Sequence, residues 1–240
     1  MEQNLENLIN KEKSKTCLIL GPGKTMTDFP FKKFKGKIIV IGNSAIRGQK
    51  LFTPDYWVIS NSHFPVPYIK FHREIINKFK TTTFLFSDSA LHSHLWQRSI
   101  NVLRKKLNVN WVLFDDRHFL FQKCKPELKC CNYIYKNKNY SNIQELVSQK
   151  YNYKELAKIG GTVFEYALAL SLILGFSKIY IQGVDLPFKI NKKKNKMIKN
   201  NDLLKYGELG YEYSTNFDRK ILSDLKKINI KTQKLIKKKY

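Results

Sequence analysis

The sequence lacks a hydrophobic run long enough to cross a membrane. Its longest apolar stretch covers residues 167–176, whereas a spanning helix needs roughly 18–20 apolar residues. The N-terminus also lacks the basic start and the apolar stretch of a signal peptide. We therefore expect a cytoplasmic protein without a membrane-spanning segment.

Cysteine is scarce, with four residues in a chain of 240. Cys17 lies in an apolar run and is expected to be a small buried hydrophobe. Cys124, Cys130 and Cys131 lie close together, but a C-x5-C-C spacing with no histidine at ligand distance is not usual for zinc. The pattern favours reduced thiols in a loop over a metal site.

Acidic residues are few: 19 Asp and Glu stand against 44 Lys and Arg, for a net charge of +25. Such an excess suggests nucleic acid or an anionic membrane as a partner. The cations are mostly lysine, however, and arginine usually makes the bidentate contacts to bases and phosphates. We therefore expect no nucleic-acid partner. The charge predicts attraction to anionic substrates, or peripheral contact with anionic lipid at the inner membrane face.

Short apolar runs predict buried parallel strands, and glycine, asparagine or serine directly follows five of the seven. They lie at residues 16–20, 37–41, 56–60, 83–86, 110–114, 178–182 and 228–231. Segments of helical length, such as 67–80 and 92–107, separate some of them and indicate βαβ units. The predicted fold is a single Rossmann-like α/β domain over residues 16–235, with a mostly parallel sheet flanked by helices. A polar tail (1–15), a basic mobile loop (about 187–212) and a basic tail (236–240) complete the predicted organisation.

One helix is predicted with particular clarity. Gly160-Gly161-Thr162 opens it, and Gly175 ends it as a C-cap just after Leu174. Its residues are small or apolar on several faces, which predicts a central, buried position. The free N–H groups and positive dipole at its start favour contact with an anion.

Open α/β sheets bind ligands beyond the carboxyl ends of their strands. The first glycine-rich turn there is Gly21-Pro22-Gly23, where the missing Cβ atoms let backbone N–H groups approach a phosphate. Lys24 and Thr25 follow and could contact the same anion. The predicted nucleotide-binding residues are therefore Gly21, Pro22, Gly23, Lys24, Thr25, Asn43, Ser44, Asn61, Gly160, Gly161 and Thr162.

Three residues are candidates for the chemistry. His63 follows a strand end and is the best-placed histidine for a general base. Asp185 follows the strand at 178–182 and could orient a hydroxyl group or bind a divalent metal. Tyr213 lies in a tyrosine- and glycine-containing stretch after the basic loop, which could close over a bound nucleotide and exclude water.

Several of these motifs together resemble the signature of the MptE-like family. The matching stretches are Gly160-Gly161-Thr162-Val163, Leu174-Gly175-Phe176, Lys178-Ile179-Tyr180 and Gly183-Val184-Asp185-Leu186. The family includes archaeal 6-hydroxymethyl-7,8-dihydropterin pyrophosphokinases and the motility accessory factor glycosyltransferases. The first glycine turn is similar to the family's GxGPSL turn, although Lys24 and Thr25 replace Ser-Leu.

A looser resemblance links the chain to bacterial lipooligosaccharide sialyltransferases, which use CMP-activated sialic acid. Their asparagines at two strand ends are matched by Asn43 and Asn61. Their catalytic histidine opens an H-S-x-N-x-D stretch, which resembles residues 213–218 here, where Tyr213 replaces the histidine. The resemblance implies a nucleotide-sugar donor and implies that Tyr213 stabilises the departing phosphate.

The motifs, the charge and the resemblances together leave three candidate functions. The favoured one is a transferase, a glycosyltransferase that uses a CMP-type sugar in surface glycan (lipopolysaccharide or capsule) biosynthesis, and the sequence identifies no cofactor for it. The alternative is an MptE-like 6-hydroxymethylpterin diphosphokinase, which would need ATP and Mg²⁺ although carboxylates are few at the predicted strand ends. The third is a non-enzymatic, basic nucleic-acid-binding protein, which only the charge supports. No oligomeric state is predicted.

Overall fold

The structure is a computed structural model of the whole chain. It describes residues 2–42, 44–59, 78–87, 110–114, 141–152, 163–184, 225–228 and 230–234. The predicted loop at 187–212 and the tail at 236–240 lie outside these residues. In the part of the chain that is described, no helix is long and apolar enough to span a membrane.

The described strands form one parallel sheet, which confirms the predicted α/β fold class. In chain order they are β1 (Glu2–Gln3), β2 (Thr16–Leu20), β3 (Lys37–Ile41), β4 (Tyr56–Ile59), β5 (Thr83–Ser87), β6 (Asn110–Phe114), β7 (Lys178–Gln182) and β8 (Lys231–Lys234). Their order across the sheet is β1-β6-β5-β4-β3-β2-β7-β8, and every neighbouring pair is parallel.

Helices cover both faces of this sheet. The α-helices of the described residues are α1 (Ser44–Arg47), α2 (Ile143–Tyr151) and α3 (Val163–Leu174), and the short 3-10 helices are η1 (Leu5–Leu8), η2 (Lys24–Asp28) and η3 (Phe31–Lys33). Ile19 and Val58 pack on one face, with α2, α3 and η1. Leu18 and Trp57 pack on the other face, with residues of η2 and α1. The strands are therefore apolar on both sides, as their continuous apolar runs predict.

Helix α3 lies in the centre of the first face. Every residue from Phe164 to Leu174 is buried, and Gly175 follows with a φ of +86°, so the predicted buried helix and its glycine C-cap are confirmed. The backbone N–H groups of Asn10 and Glu12 donate to the carbonyls of Ile173 and Leu174, both at 2.9 Å. These bonds satisfy carbonyl groups that a helix end otherwise leaves without partners.

Residues 2–15 do not form the tail that the sequence predicts. Glu2 and Gln3 pair with Trp111 and Val112 at the edge of the sheet, and both Leu5 and Leu8 are fully buried. The physical reason is their spacing, because residues three apart on a helical turn share one face. A segment with only two leucines is polar in composition and still packs.

The last strand also differs from its predicted position at 228–231. β8 covers Lys231–Lys234 instead, whereas Ile228 and Ile230 pack against the core on the first face of the sheet. The Ile230 N–H donates to the carbonyl of Leu225 at 2.9 Å. These isoleucines therefore connect a helical turn to the strand, and the apolar pattern marks the connection rather than the strand itself.

Candidate functional site

The strand order creates a switch point beside β2. From β2 the chain proceeds outward through β3, β4, β5 and β6, and then β7 pairs with the opposite side of β2. Connections that leave in opposite directions open a crevice at the carboxyl ends of the two adjacent strands, where open α/β sheets bind their ligands. The crevice between the ends of β2 and β7 is therefore the candidate site.

Two glycines let the turns after β2 and β7 meet at the switch point. A Cβ atom on Gly21 would lie 2.9 Å from Val184 Cγ2 and would collide with the Gly183 carbonyl. A Cβ atom on Gly183 would collide with the Gly21 carbonyl in turn, and Gly183 has a φ of +66°. The turns after the two strands can approach this closely only because both positions lack a side chain.

The backbone N–H groups of this turn are used for a different purpose than the sequence predicts. The N–H of Gly21 donates to the Gln182 carbonyl at 2.9 Å, and the N–H of Gly23 donates to the Gly183 carbonyl at 2.7 Å. Neither group is directed at a ligand, and Pro22 has no N–H to offer. The N–H groups of Gly21 and Gly23 are therefore not available to bind an anion.

Gln182 holds the segment after the Gly21-Pro22-Gly23 turn and is a functional candidate that the sequence analysis does not include. It is the last residue of β7, and its side-chain Nε2 donates to the Thr25 carbonyl. The residue is 5% exposed, and its Oε1 has no hydrogen-bond partner among the described residues. A polar residue at the carboxyl end of a predicted strand, directly before Gly183, is the signal that could have identified it.

Ser44 lies on the neighbouring side of the crevice and is fully buried. Its hydroxyl lies 2.9 Å from the Leu20 carbonyl and also within hydrogen-bonding distance of the Ile41 carbonyl. The side chain thus joins the start of α1 to the ends of β2 and β3. This arrangement gives the Ser44 hydroxyl a structural role, although the sequence predicts a contact with nucleotide.

The start of α3 lies at the same edge as the crevice. Only residues 175–177 connect α3 to β7, and the C-terminus of α3 bonds to the segment that leads into β2. A helix of 12 residues is about 18 Å long, which is similar to the length of a five-residue strand. Val163 therefore begins the helix near the carboxyl ends of the strands, directly after the predicted Gly160-Gly161-Thr162 motif.

The remaining predicted site residues lie outside the described part of the chain. They are Asn43, Asn61, His63, Gly160, Gly161, Thr162, Asp185 and Tyr213, together with Cys124, Cys130 and Cys131 of the cysteine cluster. Val184 is buried and directly precedes Asp185. Within the described ranges, no three His, Cys, Asp or Glu side chains group together as metal ligands would.

Comparison with known proteins gives distant similarities of fold. No protein-family model and no curated protein matches the chain. Among solved structures, the sialyltransferase CstII from Campylobacter jejuni, in complex with the substrate analogue CMP-3FNeuAc, has a TM-score of 0.45 and 18% identity, over 92% of this chain and 80% of that one. The MAf glycosyltransferase from Magnetospirillum magneticum AMB-1 has a TM-score of 0.43 and 17% identity, over 75% of this chain. The match spans only 24% of the MAf chain.

Proposed function

We propose that the chain is a nucleotide-binding transferase, a glycosyltransferase that uses a CMP-activated sugar in surface glycan biosynthesis, with its nucleotide in the crevice between β2 and β7. The observation that carries this proposal is the contact between Gly21 and Gly183 at the switch point. It brings the turn with Lys24 and Thr25 beside the segment that continues into Asp185. The sequence resemblance to MptE-like and sialyltransferase enzymes supports the same placement of the nucleotide.

In this proposal, the phosphate of the donor lies between the turn after β2 and the start of α3. The Lys24 ammonium group and the Thr25 hydroxyl, together with the N–H groups at Gly160-Gly161-Thr162, would bind the phosphate. When the bond between the sugar and the phosphate breaks, negative charge accumulates on the departing CMP, and donors fixed in place lower the barrier by stabilising that charge. Tyr213 would act on the same phosphate.

His63 and Asp185 are proposed for the acceptor side of the reaction. A general base has to remove the proton of the acceptor hydroxyl as that oxygen attacks the sugar, and an imidazole such as that of His63 can accept a proton near neutral pH. Asp185 would orient the same hydroxyl. The reaction then forms the new glycosidic bond, breaks the bond between sugar and phosphate, and releases CMP.

Thermal-shift measurements with CMP, UDP, GDP and ATP, each with and without Mg²⁺, test the proposal. We expect CMP to raise the unfolding temperature without metal. A shift that occurs only with ATP and Mg²⁺ would replace the proposal with the diphosphokinase alternative. If none of the four nucleotides changes the unfolding temperature, the proposed nucleotide site is refuted. Replacing Gly161 by leucine should abolish the CMP shift while leaving the temperature of the free protein close to that of wild type.

A matched pair of glutamine variants tests the support of the turn. Gln182→Leu removes the hydrogen bond to the Thr25 carbonyl, and we expect it to weaken CMP binding on the order of tenfold and to cost about 1–2 kcal/mol of stability. Gln149→Leu makes the same change at an exposed position of α2. It should leave CMP affinity unchanged, as measured by isothermal titration. Equal CMP affinity in the two variants would show that the crevice does not bind the nucleotide through this turn.

A further inference from the structure

The opposite edge of the sheet holds a second concave site. A cavity of about 420 Å³ lies at the amino ends of β2, β3 and β7 and is lined by Thr16, Phe34, Lys35, Lys37 and Tyr180, among others. The crevice at the switch point lies at the opposite, carboxyl ends of β2 and β7, so the length of these strands separates the two sites. A cavity of this size can hold a small molecule.

Two aromatic rings form one wall of this amino-edge cavity. Phe34 and Tyr180 meet edge to face, with ring centroids 6.1 Å apart and an interplanar angle of 86°. Gly36 gives Phe34 its position, because a Cβ atom on Gly36 would lie 2.6 Å from the Thr16 carbonyl oxygen and would collide with the Phe34 ring. The wall is therefore apolar and rigidly placed, which suits a flat organic group.

The rim of the cavity is cationic and only partly neutralised. Lys37 pairs with Asp55 at 2.8 Å, and Lys15, which also lines the cavity, pairs with Glu12 at 2.8 Å. Neither Lys35 nor Lys178 forms an ion pair with a carboxylate of the described residues. Lys178 is not one of the lining residues, but its Nζ lies 4.6 Å from the centre of the Tyr180 ring. An ammonium group without a carboxylate partner among the described residues therefore lies beside the aromatic wall.

A neighbouring strand adds to this charge. Lys178 begins β7 and lies in register with Lys231, the first residue of β8. Strands in a sheet lie about 4.8 Å apart, so like charges in register repel each other and are stabilised by an anion between or beside them. These ammonium groups and the aromatic wall together define the chemistry that the cavity would recognise.

We propose that the amino-edge cavity binds a phosphate monoester, with the phosphate at Lys35 and Lys178 and the organic part against the Phe34 and Tyr180 rings. Ammonium groups form strong charge-assisted hydrogen bonds with phosphate oxygens. The ligand can be a free phosphate ester or the headgroup of an anionic lipid, since both present the same group. This inference does not rest on the proposed glycosyltransferase activity.

Titration with phenyl phosphate and with inorganic phosphate, at constant ionic strength, tests the site. We expect saturable binding of phenyl phosphate, and weaker binding of inorganic phosphate because it has no ring to place on the wall. Lys35→Glu should weaken phenyl phosphate binding on the order of 10- to 100-fold, as expected for the loss of a charge-assisted hydrogen bond. Lys32→Glu makes the same change in net charge at an exposed residue of η3, and it should change the affinity less than twofold.

Vesicles distinguish the two sources of the phosphate group. Wild type is compared with Lys35→Glu and Lys32→Glu on phosphatidylcholine vesicles with and without phosphatidic acid. Selective loss of binding in Lys35→Glu assigns the site to a lipid headgroup, whereas a selective effect on phenyl phosphate alone assigns it to a soluble ester. Equal effects of the two substitutions on both probes, or no saturable binding of either probe by wild type, would overturn the proposal.

Two further measurements keep the result interpretable. Lys178→Gln should weaken phenyl phosphate binding in the same direction as Lys35→Glu, and urea unfolding should show that both variants remain folded. Gln182→Leu should bind phenyl phosphate as wild type does, because Gln182 lies at the carboxyl end of β7 and is remote from the amino-edge cavity. Wild-type CMP affinity in Gln182→Leu, together with weakened phenyl phosphate binding in Lys35→Glu, would therefore count against the proposed function alone.

Discussion

At the residue scale, the positions where two backbones meet are the most sensitive to change. Gly183 and Gly42 share a left-handed backbone, with φ values of +66° and +57°, so any side chain at either position is strained. They differ in their surroundings. A Cβ atom on Gly42 would find its nearest neighbour at 3.8 Å, in Pro22, whereas one on Gly183 would collide with the Gly21 carbonyl.

We predict unequal losses of stability from alanine at these two glycines. Gly42→Ala should cost about 1–2 kcal/mol, the price of a left-handed backbone alone. Gly183→Ala should cost about 1–3 kcal/mol more, because the added methyl group has no space. Urea unfolding of the two variants measures the difference. Equal losses would mean that the ends of β2 and β7 lie further apart than the structure places them.

The side chain of Glu12 predicts a dependence of stability on pH. Burial alone would raise the pKa of this carboxyl group, but hydrogen bonds from Lys15 and Tyr56, and the nearby charge of Lys37, lower the pKa below its ordinary 4.5. The folded state therefore favours the carboxylate more than the unfolded state does. The resulting stability is present above the ordinary pKa and is lost as pH falls through the lower, folded value.

We expect the unfolding free energy of wild type to decrease more steeply than that of Glu12→Gln between about pH 5 and pH 3. The variant cannot titrate at this position, so the difference between the two curves isolates Glu12. Urea unfolding across this pH range provides the measurement. Parallel curves would contradict the buried contacts of Glu12 with Tyr56 and Lys15.

At the element scale, the N-terminal segment is a component of the core. It adds β1 to the edge of the sheet, and η1 packs on the same face as α3. The backbone N–H groups of Asn10 and Glu12 cap the C-terminus of α3. The Lys150 ammonium of α2 also donates to the Leu172 and Ile173 carbonyls, at 2.7 and 2.8 Å. Cations are favoured at a helix C-terminus because of the helix dipole, so two separate elements complete the end of α3.

Two adjacent residues provide a test of this packing. Leu8 is fully buried, whereas Ile9 is 40% exposed. Leu8→Ala should cost about 2–5 kcal/mol, as for other buried leucines, and Ile9→Ala should cost less than about 1 kcal/mol. Chemical denaturation measures both. Similar small effects would show that the segment behaves as the polar tail that its composition suggests.

At the scale of the whole molecule, the net charge and the crevice at the switch point are expected to bind different ligands. The net charge of +25 attracts any polyanion over the whole surface, and salt screens this attraction. We therefore predict weak binding to duplex DNA that decreases at least about tenfold between low and physiological salt. The CMP-induced thermal shift should change much less across the same range, because it depends on contacts within one crevice.

Fluorescence anisotropy with labelled DNA, paired with thermal shifts in the same buffers, measures both quantities. Duplexes of different sequence should bind equally, since surface lysines read the phosphate backbone and not the bases. Sequence-specific DNA binding that persists in salt, together with no response to CMP, would restore the nucleic-acid hypothesis and would remove the transferase proposal.

Much of the fold was predictable because a strand that is buried on both faces of the sheet has a recognisable run of apolar residues. A strand inside a parallel sheet must be apolar at consecutive positions, and the runs at 16–20, 37–41, 110–114 and 178–182 coincide with β2, β3, β6 and β7. Gly175 ends α3 because a left-handed C-cap favours glycine. Each of these features depends on residues that are adjacent in the chain.

The sequence by itself therefore determined strands β2 to β7 and helix α3, the parallel pairing as a class and the edge where a ligand is expected. Only the tertiary structure decided that Leu5 and Leu8 belong to the core and that the Ser44 hydroxyl donates to backbone carbonyls. It also decided that the N–H groups of Gly21 and Gly23 donate to the carbonyls of Gln182 and Gly183. The amino-edge cavity likewise joins Thr16, Phe34 and Tyr180. The physical reason is that hydrogen bonding and apolar periodicity act between near neighbours, whereas the approach of remote segments depends on how the whole chain packs.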